Sequence, residues 1–384
     1  MTENKFKGGN CMNKKIRYSV LGAGNGGIAI AGYIAMKGYE VNLYNRTEEN
    51  IMSLIKNPII HLTGEIEGCG RLNKVTDNIR EAIENTDIIM VTVPAVGHKF
   101  ISQNIAPYLE DEQIIILNPG RTGGALEVYE NIRNSECTAQ DVVVAEAQSL
   151  IYACRITGNN EVHIFKSKKE VSLSAIPASR TEEVISKISP IFSQFIPAKD
   201  VMETSLNNFG AIFHPAPTLL NSGHIERGIT FDYYTEGITP SVGRFIERMD
   251  KERMEIADKL NIDTMSAKDW LYETYGSKGD TLYDAVQNNP AYKGLKSPKG
   301  LNIRYIYEDV PCSLVPMSSL AKQLDIETPA IDSIIVLSEI ITGKNFWEEG
   351  RTVKKLGLEG LDKFQIHHLA RTGKLLDNKE GVVA

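Results

Sequence analysis

The 384-residue sequence predicts an α/β domain with a doubly wound parallel sheet, followed by an all-α C-terminal domain. Between residues 16 and 205, short β-branched runs alternate with helical segments, which is typical of parallel strands joined by crossover helices. Beyond residue 206, apolar residues recur every three to four positions and strand signals are few. The predicted division is therefore an N-terminal extension at 1–15, an α/β domain at 16–205 and a helical domain at 206–384.

The predicted elements follow this division along the chain. Buried β-branched runs predict strands at 17–22, 40–44, 87–93, 113–117, 141–145, 161–165 and 171–176. Helical spacing between and after these strands predicts helices at 26–37, 79–85, 97–109, 124–134 and 181–193, and an extended piece is expected near 199–202. In the second half, the same spacing predicts helices at 245–260 and 320–342.

The composition is that of a globular protein with a moderate negative charge. Hydrophobic residues make up 42% and charged residues 24%, with a formal net charge of −7. This charge argues against a nucleic-acid surface, which requires a concentrated basic stripe, and no apolar run is long enough for a membrane span. Five scattered cysteines and the absence of an apolar signal segment favour a cytoplasmic protein without a disulfide framework.

The first predicted strand runs directly into a glycine-rich loop. The loop reads Gly22-Ala-Gly24-Asn25-Gly26-Gly27, and a helix and a second strand follow it. Gly22 permits a tight turn, Gly24 allows the backbone to approach a pyrophosphate, and Gly27 allows close packing of helix and strand. This order of elements predicts a Rossmann-type dinucleotide site formed by the loop.

The end of the second strand indicates which dinucleotide is bound. NAD sites usually carry an acidic residue there, whereas this chain has Asn45, Arg46 and Thr47. Arg46 can pair with a 2′-phosphate, so we expect NADP to be preferred, with NAD as the alternative. Pro94 follows a later strand at the same edge of the sheet and is also expected to contact the cofactor.

Two segments of the second half carry candidate chemical groups. The first runs from Asn208 to His214 and Pro215, and the second contains Arg304 and Asp309. A histidine titrates near neutral pH and can move protons, but on these residues alone a buried structural role for His214 is as well supported. The pair His367-His368 has no third ligand at a suitable spacing, so no metal site is expected.

Five motifs in order resemble the octopine/nopaline (opine) dehydrogenase family: 22–27, 118–124, 148–155, 208–215 and 304–311. The resemblance implies a Rossmann domain, a helical domain and an NAD(P)H-dependent reductive condensation. In that reaction a 2-oxo acid such as pyruvate and the amino group of an amino acid form an imine, which is reduced to a secondary amine dicarboxylate.

The resemblance also assigns roles to residues of the second half. It implies that His214 is the catalytic histidine, that Asp309 is its carboxylate partner and that Arg304 binds a substrate carboxylate. Asn208 and Gln148 are expected to contact substrate. Because Gln148 is neutral where relatives with a cationic donor can carry an acid, a neutral amino donor is favoured.

Two other functions stay open at this point. One is an NADP-dependent 2-oxo-acid reductase of the ketopantoate type, although no well-placed lysine motif supports it. The other is a non-enzymatic sensor of nicotinamide nucleotides, which would have no need of His214, Arg304 and Asp309 together. In that case the helical half would bind a partner. For an enzyme, the expected partners are a 2-oxo acid and an amino acid, with no nucleic acid or membrane, and a homodimer is left open.

Overall fold

An eight-stranded sheet forms the centre of the N-terminal half in the computed structural model, which describes residues 15–376. Across the sheet the strands are β5 (Lys74–Thr76), β2 (Val41–Tyr44), β1 (Tyr18–Leu21), β6 (Ile88–Val91), β7 (Ile114–Leu117), β8 (Val143–Ala147), β11 (Val171–Ile176) and β12 (Phe195–Pro197). The first six strands pair in parallel, whereas β11 runs antiparallel to β8. The carboxyl ends of the parallel strands therefore meet at one edge.

Helices cover both faces of this sheet. Ile114 and Ile116 of β7 belong to one apolar core and Ile115 and Leu117 to the other, because successive strand residues point to opposite faces. The first core includes α1 (Asn25–Met36), α2 (Met52–Lys56) and α6 (Thr181–Ile188). The second includes α3 (Ile79–Ile83), α4 (His98–Ile105) and α5 (Gly124–Arg133), and it continues into the helical half.

A second sheet of four strands packs against α1. Its order is β4 (Gly68–Arg71), β3 (Ile59–Gly64), β10 (Glu161–Ser167) and β9 (Tyr152–Gly158). The sequence predicted β10 but not the other three strands. The sequence of β4, Gly-Cys-Gly-Arg, has no apolar alternation, so its pairing with β3 supplies the order that local pattern does not.

The C-terminal half is built from helices. They are α7 (Val201–Leu206), α8 (Gly210–Phe213), α9 (Pro215–Leu220), α10 (Ser222–Glu226), α11 (Pro240–Lys259), α12 (Ala267–Tyr275), α13 (Leu282–Gln287), α14 (Arg304–Tyr307), α15 (Val315–Gln323), α16 (Pro329–Thr342), α17 (Phe346–Glu349) and α18 (Lys363–Thr372). No strand follows β12 in the part of the chain that the structure describes. The fold class predicted from the sequence is therefore confirmed.

Two local predictions fail in part. The segment 199–202 is extended only at its start, where Asp200 has a φ of −162° and a ψ of 174°. The Asp200 side chain accepts a hydrogen bond from the Met202 amide and caps α7, so the rest of the segment is helical. The predicted helix at 320–342 is two helices, α15 and α16. Asp325 adopts a left-handed φ of 57° between them, and Pro329 opens α16, where its missing amide hydrogen costs nothing.

The described helices differ from a membrane-spanning helix in length or in apolar character. Among residues 15–376, no helix combines the length and the apolar character that crossing a bilayer requires.

Candidate active site

A cleft of about 690 Å³ lies between the carboxyl edge of the large sheet and the helical half. From the sheet side it is lined by the glycine loop and by the segments that follow β6, β7 and β8. From the helical side it is lined by residues of α8, α12 and α14 together with His214. Ligands of open α/β sheets bind at this edge.

The glycine loop has the shape of a dinucleotide cradle. Gly22 has a φ of 116°, which side chains other than glycine rarely adopt. A Cβ on Gly27 would lie 1.8 Å from the Gly22 carbonyl oxygen, so only glycine allows this approach of helix and strand. Gly24 faces open space directly before α1, leaving room for a pyrophosphate at the helix start.

The small sheet supports this cradle from outside. The Asn25 side chain accepts a hydrogen bond from the Ile156 amide of β9, at 2.9 Å. A Cβ on Gly26 would come within 2.9 Å of the Leu150 side chain. Asn25 therefore ties the loop to β9 through its side chain, and a side chain at position 26 would have to displace Leu150.

At the end of β2 the three predicted residues differ in their contacts. Asn45 accepts a hydrogen bond from the Ala23 amide at 3.3 Å and donates to the Thr47 carbonyl at 2.8 Å. Arg46 and Thr47 are exposed, and the Arg46 guanidinium lies over the Phe100 ring, 5.3 Å from its centroid. Arg46 and Phe100 thus pair at the end of β2, next to Asn45, which contacts the glycine loop.

His214 and Asp309 form a hydrogen-bonded pair in the cleft. Nδ1 of His214 lies 2.8 Å from Oδ2 of Asp309, and the Asp309 side chain is fully buried. Because Nδ1 is engaged, Nε2 is the ring nitrogen left for proton exchange. The Tyr305 ring stacks on the imidazole, with centroids 4.2 Å apart and planes 14° apart. The buried carboxylate and the stacked ring together orient the imidazole.

The His214 backbone is held as well. Its carbonyl oxygen accepts hydrogen bonds from the Tyr233 hydroxyl at 2.6 Å and from the Thr218 hydroxyl at 2.8 Å. Burial raises the pKa of the Tyr233 phenol well above its usual value, so the phenol stays protonated and remains a donor. The histidine is therefore positioned through both its ring and its main chain.

Glu308 connects the two halves beside this pair. It accepts hydrogen bonds from Arg304 through Nε and Nη2 and from the Ala95 amide at 3.1 Å, and Arg121 Nε lies 3.4 Å away. Burial alone would raise the pKa of the Glu308 carboxyl. The Arg304 hydrogen bond and the charges of Arg121 and Arg304 outweigh burial and lower the pKa to about 2, so the group is ionised.

Arg351 joins the helical half to the cofactor-facing loops. Its side chain is 1% exposed and donates to the carbonyl oxygens of Ala95, Gly120 and Thr122 at 3.1, 2.9 and 3.2 Å. Its charge is offset by the Glu127 carboxylate at 2.8 Å. The loops after β6 and β7 thus take their positions from a residue more than two hundred positions away in sequence.

The other predicted substrate-contacting residues also line the cleft. Asn208 donates to the Ser313 hydroxyl at 2.8 Å, and Gln148 donates to the Asn207 carbonyl at 2.7 Å. Pro94 lines the same cleft at the end of β6. The structure therefore brings all of the predicted substrate-contacting residues to one cavity.

Glu146, which stands close to Gln148 in sequence, does not offer its charge to a substrate. Its fully buried carboxyl accepts hydrogen bonds from the Thr204 and Ser205 hydroxyls and from the Ala125 amide, at 2.6, 2.9 and 2.8 Å. Burial raises the pKa of this carboxyl.

Aromatic side chains form the helical wall of the cleft. Phe209 stacks on Trp270 at 4.8 Å, Tyr275 meets Trp270 edge to face at 5.7 Å, and Tyr234 stacks on Tyr292 at 4.0 Å. These five side chains line the cavity. The wall is therefore apolar and carries no carboxylate among its lining residues.

The sequence did not single out Glu308, Tyr305 or Arg351. Glu308 stands four residues after Arg304, a spacing that places two helical side chains on one face and could have indicated the pair. Nothing local indicates that Arg351 is buried. Residues 15–376 contain no cluster of three or more His, Cys, Asp or Glu side chains that could hold a metal ion.

Similarity to characterised proteins agrees with this geometry. Residues 197–342 match the family model of the NAD/NADP octopine/nopaline dehydrogenase α-helical domain, and residues 17–150 match that of the NAD-dependent glycerol-3-phosphate dehydrogenase N-terminus. An opine dehydrogenase from Arthrobacter sp. (strain 1C) is 39% identical over 345 residues, which cover 90% of this chain and 96% of that protein.

Solved structures share the fold at low sequence identity. An octopine dehydrogenase in complex with NADH and agmatine superposes with a TM-score of 0.80 at 20% identity, covering 94% of this chain and 99% of that chain. An NADP⁺-bound yersinopine dehydrogenase superposes with a TM-score of 0.71 at 15% identity, covering 93% of this chain and 98% of that chain.

The fold and the cleft define an NAD(P)-dependent oxidoreductase in which the histidine of an imidazole–carboxylate pair and the glycine loop line one cavity. The chain belongs to the opine dehydrogenase family, whose members act on the CH–NH bond. The resemblance drawn from the sequence motifs is thereby confirmed.

Proposed function

We propose that this enzyme condenses a 2-oxo acid such as pyruvate with the amino group of an amino acid and reduces the product with NAD(P)H. The observation that supports this most is the His214–Asp309 pair in the cleft that the glycine cradle also lines. In the reaction the amino nitrogen attacks the carbonyl carbon, water leaves, and the imine takes a hydride at carbon and a proton at nitrogen.

The proton movements are assigned to His214. As a base, its Nε2 accepts a proton from the amino donor, and as an acid it returns a proton to the hydroxyl that leaves as water. Asp309 keeps the ring oriented through Nδ1 and stabilises the imidazolium between these steps. Tyr305 covers one face of the ring, which limits the approach of water from that side.

The cofactor is assigned to the cradle formed by Gly22, Gly24 and Gly27. A Cβ at Gly27 would collide with the Gly22 carbonyl oxygen, so the cradle requires glycine there. When bound, the reduced nicotinamide supplies the hydride. Arg46 follows β2, at the strand end that contacts the ribose 2′ position in dinucleotide sites, and residues 45–47 include no acid. Arg46 can therefore bind a 2′-phosphate, and NADP is proposed as the preferred form.

Arg304 is proposed to bind the carboxylate of the oxo acid. Its Nε and Nη2 contact Glu308, and the edge formed by Nη1 and the second Nη2 hydrogen is available for two parallel hydrogen bonds to a carboxylate. Asn208 and Gln148 line the cavity close to the oxo acid and the donor in this proposal.

The amino donor is proposed to be neutral, with a large apolar side chain. The wall of Phe209, Trp270 and Tyr275 offers stacking surface and no carboxylate that could pair with a cationic side chain. The buried Glu146 carboxyl is occupied by its own hydrogen bonds, so it offers no substitute. Glu170 lines the cleft from the sheet side and not within the aromatic wall. Phenylalanine, methionine and leucine are the expected donors, ahead of arginine.

The test is NADPH consumption with pyruvate, with and without single amino acids. Consumption that needs both substrates supports the proposal, and a higher kcat/KM for phenylalanine or methionine than for arginine supports the apolar donor. Consumption with a 2-oxo acid alone would instead indicate the ketopantoate-type reductase. Nucleotide binding without any turnover would indicate a sensor.

The roles of the two domains, the cellular location and the oligomeric state are proposed separately from the reaction. We propose that residues 16–205 bind the cofactor and that 206–384 carry the proton chemistry. The four described cysteines are free thiols, which supports a cytoplasmic location. A homodimer is left open, and light scattering tests it.

A further inference from the structure

Positive charge in the cleft is mostly offset by neighbouring carboxylates. Arg121 is ion-paired with Glu308 at 3.4 Å and with Asp309 at 3.1 Å, and Arg304 is ion-paired with Glu308. These two cations and two anions leave the cluster close to neutral. The proposed reaction, however, brings two carboxylates into the cleft and releases them on one product.

Lys168 is a third cation that lines the cleft, from the side of the large sheet. Its ammonium donates to the Ser149 hydroxyl at 2.7 Å, and within residues 15–376 it forms no ion pair with a carboxylate. Glu170 lines the same wall without pairing with it. Lys168 is thus the lining cation whose charge no neighbour offsets.

Lys168 reaches the cleft because β8 and β11 are neighbours in the large sheet. It lies between β10 and β11, and its backbone amide donates to the Ile151 carbonyl at 2.9 Å in the segment that follows β8. Because β11 runs antiparallel to β8, the start of β11 lies at the carboxyl edge of the sheet, where the cleft opens. The position therefore follows from strand order.

The surroundings make an anion a favourable partner. Lys168 is exposed at the cleft rather than enclosed. Desolvation by the surrounding protein, followed by the positive charge of Arg121, still lowers the pKa of Lys168 to about 8. The ammonium is therefore mostly protonated near neutral pH but poorly compensated. A carboxylate placed beside it would balance the charge and accept a charge-assisted hydrogen bond from the ammonium, in addition to the bond to Ser149.

We propose that the Lys168 ammonium binds the α-carboxylate of the amino donor, opposite the carboxylate that Arg304 receives. This inference rests on the proposed function, which requires one carboxylate from each substrate. Arg304 approaches from the helical half and Lys168 from the sheet, so the two carboxylates are held on separate walls of the cleft. The donor side chain then extends along the aromatic wall.

The first test is Lys168→Met, which keeps the length of the side chain and removes its charge. The KM for the amino donor is expected to rise about ten- to a hundredfold, while the KM values for NADPH and the oxo acid change little. Lys168→Arg should recover part of the loss. Lys166→Met is the matched control, because Lys166 is 71% exposed and pairs with Glu65 outside the cleft.

A second measurement separates carboxylate binding from a general change in the cleft. A primary amine with the same side chain but no carboxylate should inhibit wild type and Lys168→Met equally. If Lys168→Met leaves the donor KM unchanged, or weakens the amine as much as the amino acid, the inference is overturned.

The inference can also fail separately from the proposed function. An inactive wild type refutes the proposed function alone, since calorimetric titration of the amino acid into the NADP⁺ complex still tests Lys168. A tenfold or larger loss of affinity in Lys168→Met supports the inference, and equal affinity rejects it.

Discussion

Nη1 of Arg121 lies 3.1 Å from Oδ1 of Asp309, so the carboxylate that orients His214 is also held by the α/β half. Arg121 comes from the loop after β7 and Asp309 from the end of α14. In return, Arg351 of the helical half holds the carbonyls of that loop. The proposed acid–base pair and the proposed cofactor loops are therefore connected by ion pairs and hydrogen bonds that exist only when the two halves pack.

Replacement of His214 by alanine should lower turnover by roughly two to four orders of magnitude, the usual range for a general acid–base group. Nucleotide binding should survive, because the cradle lies in the other half. Melting temperature and active-site-normalised rate, measured on one sample, check this. A stable variant with full activity would end the catalytic assignment, and a destabilised one with normal turnover would indicate a structural histidine.

Asp309→Asn should lower turnover less than the His214 change. Asparagine keeps the shape but removes the negative charge that stabilises the protonated imidazole, so the acidic limb of the pH–rate profile should move to lower pH. The full profile of kcat/KM against pH tests this. An unshifted limb would show that Asp309 only orients the ring.

Arg46→Asp should raise the KM for NADPH about ten- to a hundredfold and leave that for NADH unchanged or lower, because a charge-assisted contact with the 2′-phosphate is lost. Arg80→Asp is a matched control, since Arg80 is another exposed arginine that lies over an aromatic ring, that of Tyr108. A wild-type preference for NADH would contradict the proposed cofactor choice.

Arg304→Lys should raise the KM for the oxo acid about tenfold or more while NADPH affinity stays constant. A lysine keeps the charge but has three donors and no planar fork, so it cannot give two parallel hydrogen bonds to Glu308 and two more to a substrate carboxylate. Steady-state kinetics with varied pyruvate measure the effect. Unchanged oxo-acid kinetics would remove Arg304 from the binding site.

A pH dependence of stability is expected at α18. The Asp200 carboxylate, 3.5 Å from Nδ1 of His367, is the main cause that raises the pKa of His367 above its usual 6.5, and the Leu260 carbonyl adds to it. This contribution to the free energy of unfolding is therefore complete below about pH 6.5 and is lost as pH rises through the higher folded-state pKa. As pH rises through this range, the denaturation midpoint should fall in wild type and in the control variant His368→Gln. In His367→Gln it should fall less.

Much of the fold could be predicted because its signals are local. Strand alternation, the strand-to-glycine loop at Gly22–Gly27 and the helical spacing after residue 206 each depend on neighbours within one or two turns. Local sequence pattern does not predict elements that depend on contacts between distant residues. The strand β4 lacks an apolar alternation and exists through pairing with β3, and the helix predicted at 320–342 is interrupted at Asp325.

The sequence by itself determined the class of the protein and named His214, Asp309 and Arg304, since residue type and motif order carry that information. Only the tertiary structure decided which groups touch. The Arg351 guanidinium meets the Ala95 carbonyl across 256 residues, and Lys168 reaches the cleft because β11 lies beside β8. Buried charges need partners, and these partners can lie anywhere along the chain. Local residue spacing therefore does not predict the partners, which are determined by tertiary packing.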